Sequence, residues 1–305
     1  MASCPLKFPP PLVPQKNLSM YVTPLLKKAD PDPAKAKSYR PISNFSIISK
    51  QHDRLVCKQL VKYLKDNDLL QDLQSAYRAH HSMETTVLKV LSDILPALDT
   101  RDLAVPTLLD LSAAFDSIDH NTLLQWLQMS YGLSGNVMNW FASYLRDHAQ
   151  HVRFSTTSSL SSAVYYGVLL GSVLGPILFL LYTPDLLQLI KRRHLTPHAY
   201  VDNTQIYGFC RPHEVDRLAD RLSVCIDKTS TWMKSNRLQL KPTKTEVLWC
   251  SSSRCQHQIP TGPIRVGNNS VLPVSQVRDL GVHLDADATM TAHVTATIGK
   301  CFSAP

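Results

Sequence analysis

Segments with helical periodicity and short strand-like runs are interspersed along this chain without a regular strand–helix–strand rhythm. The clearest helical signal covers 84–98, where apolar residues recur at i, i+3, i+4 and i+7 and Ser82 is a natural N-cap. Strand signals are the apolar run that ends in Asp110, a Ser-rich hairpin at 151–168 and the stretch 198–207. This order predicts an α+β fold in which a small sheet is backed by helices on one face.

Weaker signals complete the predicted secondary structure. Further helices are expected at 47–64, 122–129, 134–145 and 213–233. The Gly175-Pro176 pair is typical of a helix N-terminus, and the segments 237–250 and 275–285 are expected to carry strands. Pro106 is awkward within the run that leads to Asp110, because proline cannot donate to a central ladder.

Composition restricts the class of protein. With 44% hydrophobic and 18% charged residues, the 305-residue chain is typical of a globular protein of one large or two small domains. Its net charge of +8 suits a polyanionic partner such as nucleic acid without requiring one. The 7 cysteines are scattered and form no CxxC pair, which argues against a disulfide framework or a zinc ribbon and favours a reducing compartment, cytosol or nucleus.

No membrane-targeting segment is expected. The N-terminal stretch is studded with prolines and has no unbroken apolar core, so it is not typical of a signal peptide. The most apolar run, 168–182, is only about fifteen residues long and contains Gly171, Gly175 and Pro176, which makes it too short and too broken to span a bilayer. The sequence therefore predicts a soluble protein.

Two polar sites at strand ends could carry chemistry. Asp110 ends the apolar run, and the pair Asp202-Asn203 lies at the expected tip of a hairpin. Carboxylates on adjacent strands can hold two Mg²⁺ ions about 4 Å apart for in-line phosphoryl or nucleotidyl transfer. The alternative is turn chemistry, since Asp and Asn tolerate left-handed backbone and bond to their own backbone in tight turns. From these residues alone, both interpretations stay open.

The order of several motifs changes that balance. Seven segments occur in one order along the chain: "SYRPISNFSIISK", "QSAYRAHHSMETTVLKV", "LLDLSAAFDSIDH", "GVLLGSVLGPILFLLY", "YVDNTQIY", "RLQLKPTKTEVLWC" and "VRDLGVHLD". Together, from about Val22 to Asp285, they resemble the reverse-transcriptase domain of non-LTR retrotransposons of the LINE type (jockey/CR1/L2-like). The resemblance implies a right-hand polymerase fold, with an antiparallel palm sheet backed by helices, and fingers. It would use two Mg²⁺ ions, deoxynucleoside triphosphates, an RNA template and a DNA primer.

The resemblance also implies a division of the chain. Residues 1–19 are expected to be a Pro-rich leader and residues 20–285 the reverse-transcriptase domain, followed by a tail at 286–305. Within the domain, 20–103 and about 130–165 are expected to be mainly fingers and the remainder palm. The thumb and the endonuclease domain of such elements are not expected in this chain.

Site residues follow from the resemblance position by position. Asp110 and Asp202 match metal-binding carboxylates, with Asn203 in the place of a further one. Lys244 matches the palm lysine that protonates the departing pyrophosphate, a general-acid role. Without the family it would be an ordinary exposed lysine. The segment 277–285 resembles the primer grip.

A second group of residues matches positions that contact the incoming nucleotide. Arg40 and, more weakly, Arg78 would hold the triphosphate, since a guanidinium meets phosphate oxygens bidentately. Phe115 would lie under the sugar and exclude a ribose 2′-hydroxyl, although it could equally be a core aromatic. Gly171 completes the nucleotide-binding set.

This sequence departs from the family at two motifs. The family has aromatic-Ala-Asp-Asp where this chain has Tyr-Val-Asp202-Asn203, which leaves one fewer anion for two divalent ions. It has Gly-Val-Pro-Gln-Gly where this chain has Leu169 and Leu170, which removes a hydrogen-bonding side chain. Pro106 also threatens the register of the strand that carries Asp110.

These departures leave three hypotheses. The chain is an RNA-directed DNA polymerase whose catalysis is impaired or absent, or a non-catalytic remnant that binds RNA and DNA through phosphates, or the product of a decayed element with no molecular role. Primer extension separates the first two, and a cooperative melt separates both from the third. The sequence contains no signal for an oligomeric state.

Overall fold

The structure is a computed structural model that describes residues 6, 8, 18–27, 32, 34–35, 38–112, 114–146, 148–154, 156–169 and 171–302. The chain forms two compact units. The first unit comprises Met1–Gln71 and Ala113–Pro184, and the second comprises Asp72–Ser112 and Asp185–Pro305. The division into leader, fingers, palm and tail stays a prediction.

The described elements alternate irregularly, as the sequence predicts. The helices are α1 (Ile47–Asp66), α2 (Met83–Asp99), α3 (His120–Met129), α4 (Asn136–Leu145), α5 (Gly175–Tyr182), α6 (Leu186–Lys191), α7 (Val215–Ser235) and α8 (Thr291–Phe302). The strands are β1 (Leu18–Leu26), β2 (Tyr39–Asn44), β3 (Leu103–Ala104), β4 (Thr107–Ser112), β5 (His148–Phe154), β6 (Thr157–Ser158), β7 (Ser162–Val164), β8 (Thr196–Tyr200), β9 (Asn203–Tyr207), β10 (Phe209–Cys210), β11 (Gln239–Leu240), β12 (Glu246–Val247), β13 (Ile264–Val266), β14 (Asn269–Val271), β15 (Gln276–Asp279) and β16 (Val282–Asp285). Short 3₁₀ helices lie at Pro212–Glu214, Pro242–Lys244 and Ser253–Gln258.

The first unit is built around the sheet β2-β1-β5-β6, with β7 also paired to β5. β1 is antiparallel to β2 and parallel to β5, and Pro24 lies opposite Pro41 in the β1–β2 register. Pairing of β1 with β5 ends at Val22, before Pro24, which has no N–H to donate. The sequence did not predict β1 and β2, because two prolines interrupt their patterns.

The predicted leader is partly packed. β1 begins at Leu18, inside the predicted leader, and Phe8 meets the ring of Trp140 edge-on at a centroid distance of 5.4 Å. The other leader residues lie outside the described residues, except residue 6. The predicted leader therefore contributes an aromatic contact and the first residues of β1.

The second unit is built around the sheet β11-β4-β9-β8, with β12 also paired to β4. β4 is antiparallel to β9, and β8 and β9 form the hairpin that the sequence predicts. The helix predicted at 84–98 is confirmed as α2, and Ser82 forms a reciprocal capping box with Thr85. The buried face of α2 (Val87, Val90, Ile94 and Leu98) packs in one cluster with Leu108 of β4, Tyr207 of β9 and Leu248.

Pro106 does not disturb the strand of Asp110. The single predicted strand is instead two short strands, and Pro106 lies in the gap between β3 and β4. Its carbonyl accepts a hydrogen bond from the Leu248 N–H at 3.0 Å. Because the ladder begins at Thr107, the missing N–H of Pro106 leaves no strand partner unsatisfied.

The other predicted helices are confirmed as α1, α3, α4, α5 and α7, with ends shifted by no more than a few residues. In the described part of the chain, no helix combines the length and the apolarity that crossing a membrane requires.

Candidate functional site

Strand register places Asp110 and Asn203 side by side. Asp110 of β4 lies directly opposite Asn203 of β9 in the antiparallel ladder. Residues directly opposite each other in such a ladder project on the same face, with Cβ atoms about 4.5–5.5 Å apart. The predicted meeting of the apolar strand and the hairpin tip is therefore confirmed for this pair.

The hairpin that presents Asp202 has a strained turn. Tyr200 and Asn203 close a two-residue loop, in which Val201 has φ +58°. A β-branched residue in the left-handed region costs on the order of 1–3 kcal/mol, and it persists only where its surroundings enforce it. Gln74 supplies that enforcement: its Oε1 accepts the Val201 N–H at 3.1 Å, and its Nε2 donates to the Val201 carbonyl at 3.4 Å.

Gln74 is a residue of the site that sequence reasoning missed. It is buried, with 7% of its surface exposed, and holds both polar backbone groups of Val201 at the hairpin tip. The signal was available, because Gln74 opens the motif "QSAYRAHHSMETTVLKV". Within this motif, only Arg78 was predicted as a site residue.

Lys244 forms an ion pair with the carboxylate of Asp110. Its Nζ lies 2.7 Å from Oδ2 of Asp110. Backbone bonds hold the two segments together, since the Lys241 N–H donates to the Asp110 carbonyl at 3.1 Å and the Lys244 N–H donates to the Lys241 carbonyl at 3.0 Å. The predicted catalytic residues Asp110 and Lys244 are thus in direct contact.

A cavity of about 350 Å³ opens at this pair. It is lined by Leu108, Leu109, Asp110, Asn203, Thr243, Lys244, Glu246 and Arg278. The charged side chains of its lining are two acids and two bases. Arg278 lies within 277–285, the segment that resembles the primer grip, but was not singled out from the sequence.

The oxygen atoms of Asp110 and Asn203 are of the kind that binds a hard divalent cation. They differ from a pair of carboxylates because the amide of Asn203 carries no charge. Asn203 lines the cavity, and its Oδ1 is a buried oxygen acceptor with no hydrogen-bond partner. Carboxylate and amide oxygens are ligands that Mg²⁺ accepts. Among the residues that the structure describes, no three His, Cys, Asp or Glu side chains are grouped to hold a metal ion. The site therefore offers oxygen donors but less negative charge than two adjoining carboxylates would.

Arg78 belongs to the second unit but does not line this cavity. Its Nη2 lies 3.9 Å from Oδ1 of Asp72, an exposed carboxylate. An ion pair of this length at the surface contributes little free energy. Its role in nucleotide binding stays a prediction.

The remaining predicted residues lie in the first unit. Arg40 is exposed on β2, opposite Leu25 of β1. Phe115 stacks on Phe179 of α5 at 4.8 Å between centroids, a contact that a core aromatic would also make. Gly171 has φ +103°, and a Cβ built there would lie 2.6 Å from the Ser43 carbonyl oxygen.

The first unit has a cavity of its own, of about 430 Å³. It is lined by Asp116 and by residues of β1, β2, β5 and β7 and of the segment that follows β7, including Pro41, Ser43, Gly167 and Leu169. None of Arg40, Phe115 and Gly171 lines it, whereas Leu169 does. Leu170 lies outside the described residues. Ser43 and Asp116, within two quoted motifs, were not predicted as lining residues.

Comparison with known families gives a match over most of the chain. The family described as "Reverse transcriptase (RNA-dependent DNA polymerase)" matches residues 26–284. Curated relatives are Drosophila melanogaster proteins: the probable RNA-directed DNA polymerases from transposon BS (27% identical over 271 residues) and from transposon X-element (29% over 272 residues). The matches cover 87% and 88% of this chain but 29% and 28% of those proteins, so the chain spans less than a third of their length.

Solved structures show the same fold. Apo telomerase from Candida tropicalis, truncated from its C-terminal domain, superposes with a TM-score of 0.57 at 14% identity, over 91% of this chain and 55% of that one. Telomerase from Candida albicans, in complex with a TWJ fragment of telomeric RNA, gives 0.52 at 13% identity, over 92% and 46%. At these identities the likeness concerns the fold, and it agrees with the predicted α+β polymerase architecture.

Proposed function

Because the chain belongs to the reverse transcriptase (RNA-dependent DNA polymerase) family, we propose that it is a nucleotidyltransferase domain acting on a primed RNA template. The observation that carries the proposal is the contact of Lys244 with Asp110, directly across the ladder from Asn203. Its substrates would be an RNA template, a DNA primer and deoxynucleoside triphosphates. Members of this family use divalent metal, and the proposal specifies two Mg²⁺ ions.

The residues that would hold those ions are Asp110, Asp202 and the amide oxygen of Asn203. Divalent cations bound there would acidify the attacking 3′-hydroxyl and neutralise charge on the leaving pyrophosphate. The contribution of the protein is to fix the donors: the β4–β9 register sets Asp110 against Asn203, and Gln74 holds the turn that carries Asp202.

Lys244 would act as the proton donor. Its ammonium is held at the catalytic carboxylate, and a donor within hydrogen-bond reach of the leaving oxygen can protonate pyrophosphate as it departs. Arg40, Arg78, Phe115 and Gly171 would form the nucleotide-binding set. The compartment would be cytosolic or nuclear, in keeping with six free cysteines among the described residues.

We expect catalysis to be impaired. Asn203 keeps a donor oxygen but supplies no charge, and Leu169 supplies no hydrogen-bonding side chain in its cavity. The second candidate function is non-catalytic binding of RNA or an RNA/DNA hybrid, which the net charge of +8 favours. Binding through phosphates would weaken steeply as the salt concentration rises.

Primer extension tests the proposal. An oligo(dT)-primed poly(A) template would be incubated with the native chain, Asn203→Asp, Asp110→Asn and the triple variant Asn203→Asp, Leu169→Pro, Leu170→Gln, in Mg²⁺ and then in Mn²⁺. We expect extension to rise at least about tenfold in Asn203→Asp, a factor equal to about 1.4 kcal/mol of barrier, and to disappear in Asp110→Asn. Asn269→Asp, the same chemical change on exposed β14, is the matched control and should leave the rate unchanged.

Two outcomes would contradict parts of the proposal. Equal rates for the native chain and Asn203→Asp would show that the missing charge does not limit catalysis. If no variant extends the primer although all are folded and bind the template in a salt-dependent way, the polymerase proposal fails and the binding function takes its place.

A further inference from the structure

The carboxylate of Asp110 forms an ion pair with the ammonium group of Lys244. The Lys244 ammonium lies 2.7 Å from Oδ2, within direct contact of the carboxylate, and the lysine side chain is 59% exposed against 34% for Asp110. The position of Lys244 is not left to its flexible stem alone. Two successive backbone hydrogen bonds, through Lys241, tie its turn to the carbonyl of Asp110 itself.

The cavity around this ion pair is balanced in charge. Its lining contains the acids Asp110 and Glu246 and the bases Lys244 and Arg278, so the formal charges of the lining cancel; Asp202, at the hairpin tip, is not one of the lining residues. Asn203 adds an oxygen but no charge. An aspartate at this position would leave the cavity with one excess negative charge. A divalent cation is attracted by excess negative charge and repelled by a neighbouring ammonium.

We propose that Lys244 is the resident counter-ion of Asp110 and that it competes with divalent cations for this carboxylate. Asn203 and Lys244 act together. Because Asn203 is uncharged, Asp110 is the single carboxylate of the pair, and the Lys244 ammonium neutralises it. A divalent ion therefore binds Asp110 only by displacing Lys244. Lys244 thereby sets the metal affinity of the site in addition to any role in proton transfer. This inference rests on the proposed function, because it concerns the same site.

Removing Lys244 is compatible with a folded protein. Its side chain is more than half exposed, and exposed ion pairs stabilise proteins by only about 0–1 kcal/mol. Lys244→Met keeps most of the side-chain length and removes the charge. Lys241→Met makes the same charge change three residues away, at a side chain that does not line the cavity, and is the matched control.

The experiment measures binding of Mn²⁺ alone, by the electron paramagnetic resonance signal of the free ion, with no nucleic acid present. We expect Lys244→Met to bind Mn²⁺ at least about tenfold more tightly than the native chain, and Lys241→Met to bind within about twofold of it. Asn203→Asp should also tighten binding, and the double variant Asn203→Asp, Lys244→Met should bind most tightly. Adding Asp110→Asn to Lys244→Met should abolish the gain. Equal affinities for Lys244→Met and Lys241→Met, with far-UV circular dichroism unchanged, would overturn the inference.

A second measurement leaves Lys244 in place. Acylation of lysines by a small ester, followed by mass spectrometry, reports how freely each amine reacts. Lys244 should react several-fold faster in Asp110→Asn than in the native chain when normalised to Lys234, and saturating Mn²⁺ should speed it in the native chain too. A Lys244 rate indifferent to both changes would refute the counter-ion role. Because neither measurement involves primer extension, tight Mn²⁺ binding without extension would overturn the proposed function and leave this inference standing.

Discussion

The two units hold their candidate residues by different physical means. In the second unit, strand register and backbone hydrogen bonds bring Asp110, Asn203 and Lys244 together, so their side chains can change while the backbone stays fixed. In the first unit, Gly171 is held by close backbone packing against Ser43, where a single methyl group would collide. Substitutions at the candidate residues of the second unit should therefore change the charge of the site while leaving its backbone in place. Substitution of Gly171 in the first unit should instead displace the backbone.

The largest effect is expected at Gly171. Gly171→Ala places a Cβ 2.6 Å from a backbone oxygen and also forces an alanine into φ +103°, so we expect it to destabilise the first unit by more than about 2 kcal/mol. Gly281→Ala is the matched control, because Gly281 has φ +95° and a Cβ there meets nothing within 4 Å. It should cost about 1–2 kcal/mol, from backbone strain alone.

Urea denaturation of both variants measures the difference. Equal losses of unfolding free energy would mean that the approach of Gly171 to Ser43 relaxes without cost, and the proposed contrast between the units would lose its main support.

An intermediate effect is expected at one buried carboxyl in each unit. Burial raises the pKa of Asp279 to about 6, although Gln205 donates to it at 2.6 Å. Burial likewise raises the pKa of Asp53 to about 6, against hydrogen bonds from Tyr144 and the backbone of Val173. Each folded-state pKa lies above the ordinary value of 3.8. Each carboxyl therefore favours folding most when it is neutral, and this contribution is lost as the pH rises through about 6.

Asparagine cannot ionise, so Asp279→Asn and Asp53→Asn should each gain stability relative to the native chain between pH 5 and pH 8. We expect a relative gain of about 1 kcal/mol per variant, measured by urea denaturation at the two pH values. The quantity compared is the difference in unfolding free energy between variant and native chain at each pH. The cost of any lost hydrogen bond is the same at both pH values and therefore cancels. A variant whose difference from the native chain does not change with pH would show that its carboxyl titrates normally in the folded protein.

The smallest effect is expected at helix N-caps. Ser82→Ala removes the bond from the Thr85 N–H at the start of α2, and Ser46→Ala removes the bond from the Ser49 N–H at the start of α1. Each alanine variant should lose about 1 kcal/mol of stability relative to the native chain. The corresponding glycine variants should lose only a few tenths of a kcal/mol. Thermal denaturation would check this, and a loss well above 2 kcal/mol at either position would show that the serine does more than cap its helix.

Sequence reasoning succeeded where a local pattern decides the structure. The apolar spacing of α2, the serine that caps it and the Gly-Pro start of α5 are properties of a few neighbouring residues. The meeting of Asp110 with Asn203 was expected from the family resemblance, since the strand and the hairpin alone left turn chemistry as an alternative. The fold and the family could be predicted because seven motifs occur in one order along most of the chain.

Sequence reasoning failed where the structure of a segment depends on a partner far away in the sequence. β1 pairs in parallel with β5 across more than a hundred residues, and no local pattern in its proline-interrupted sequence signals that partner. The clamp of Gln74 on Val201 and the ion pair of Lys244 with Asp110 also join residues far apart in sequence. The gap at Pro106 also involves a distant residue, since the Pro106 carbonyl accepts its hydrogen bond from the N–H of Leu248.

The paired prolines of the first unit have a consequence for self-association. β2 is the outer strand of its sheet, and such a strand can recruit a matching strand from another molecule. Pro41 lies in the middle of β2 and has no N–H, so it interrupts the row of backbone donors along this strand. The same residue that hid β2 from prediction thus makes this edge a poor template for aggregation.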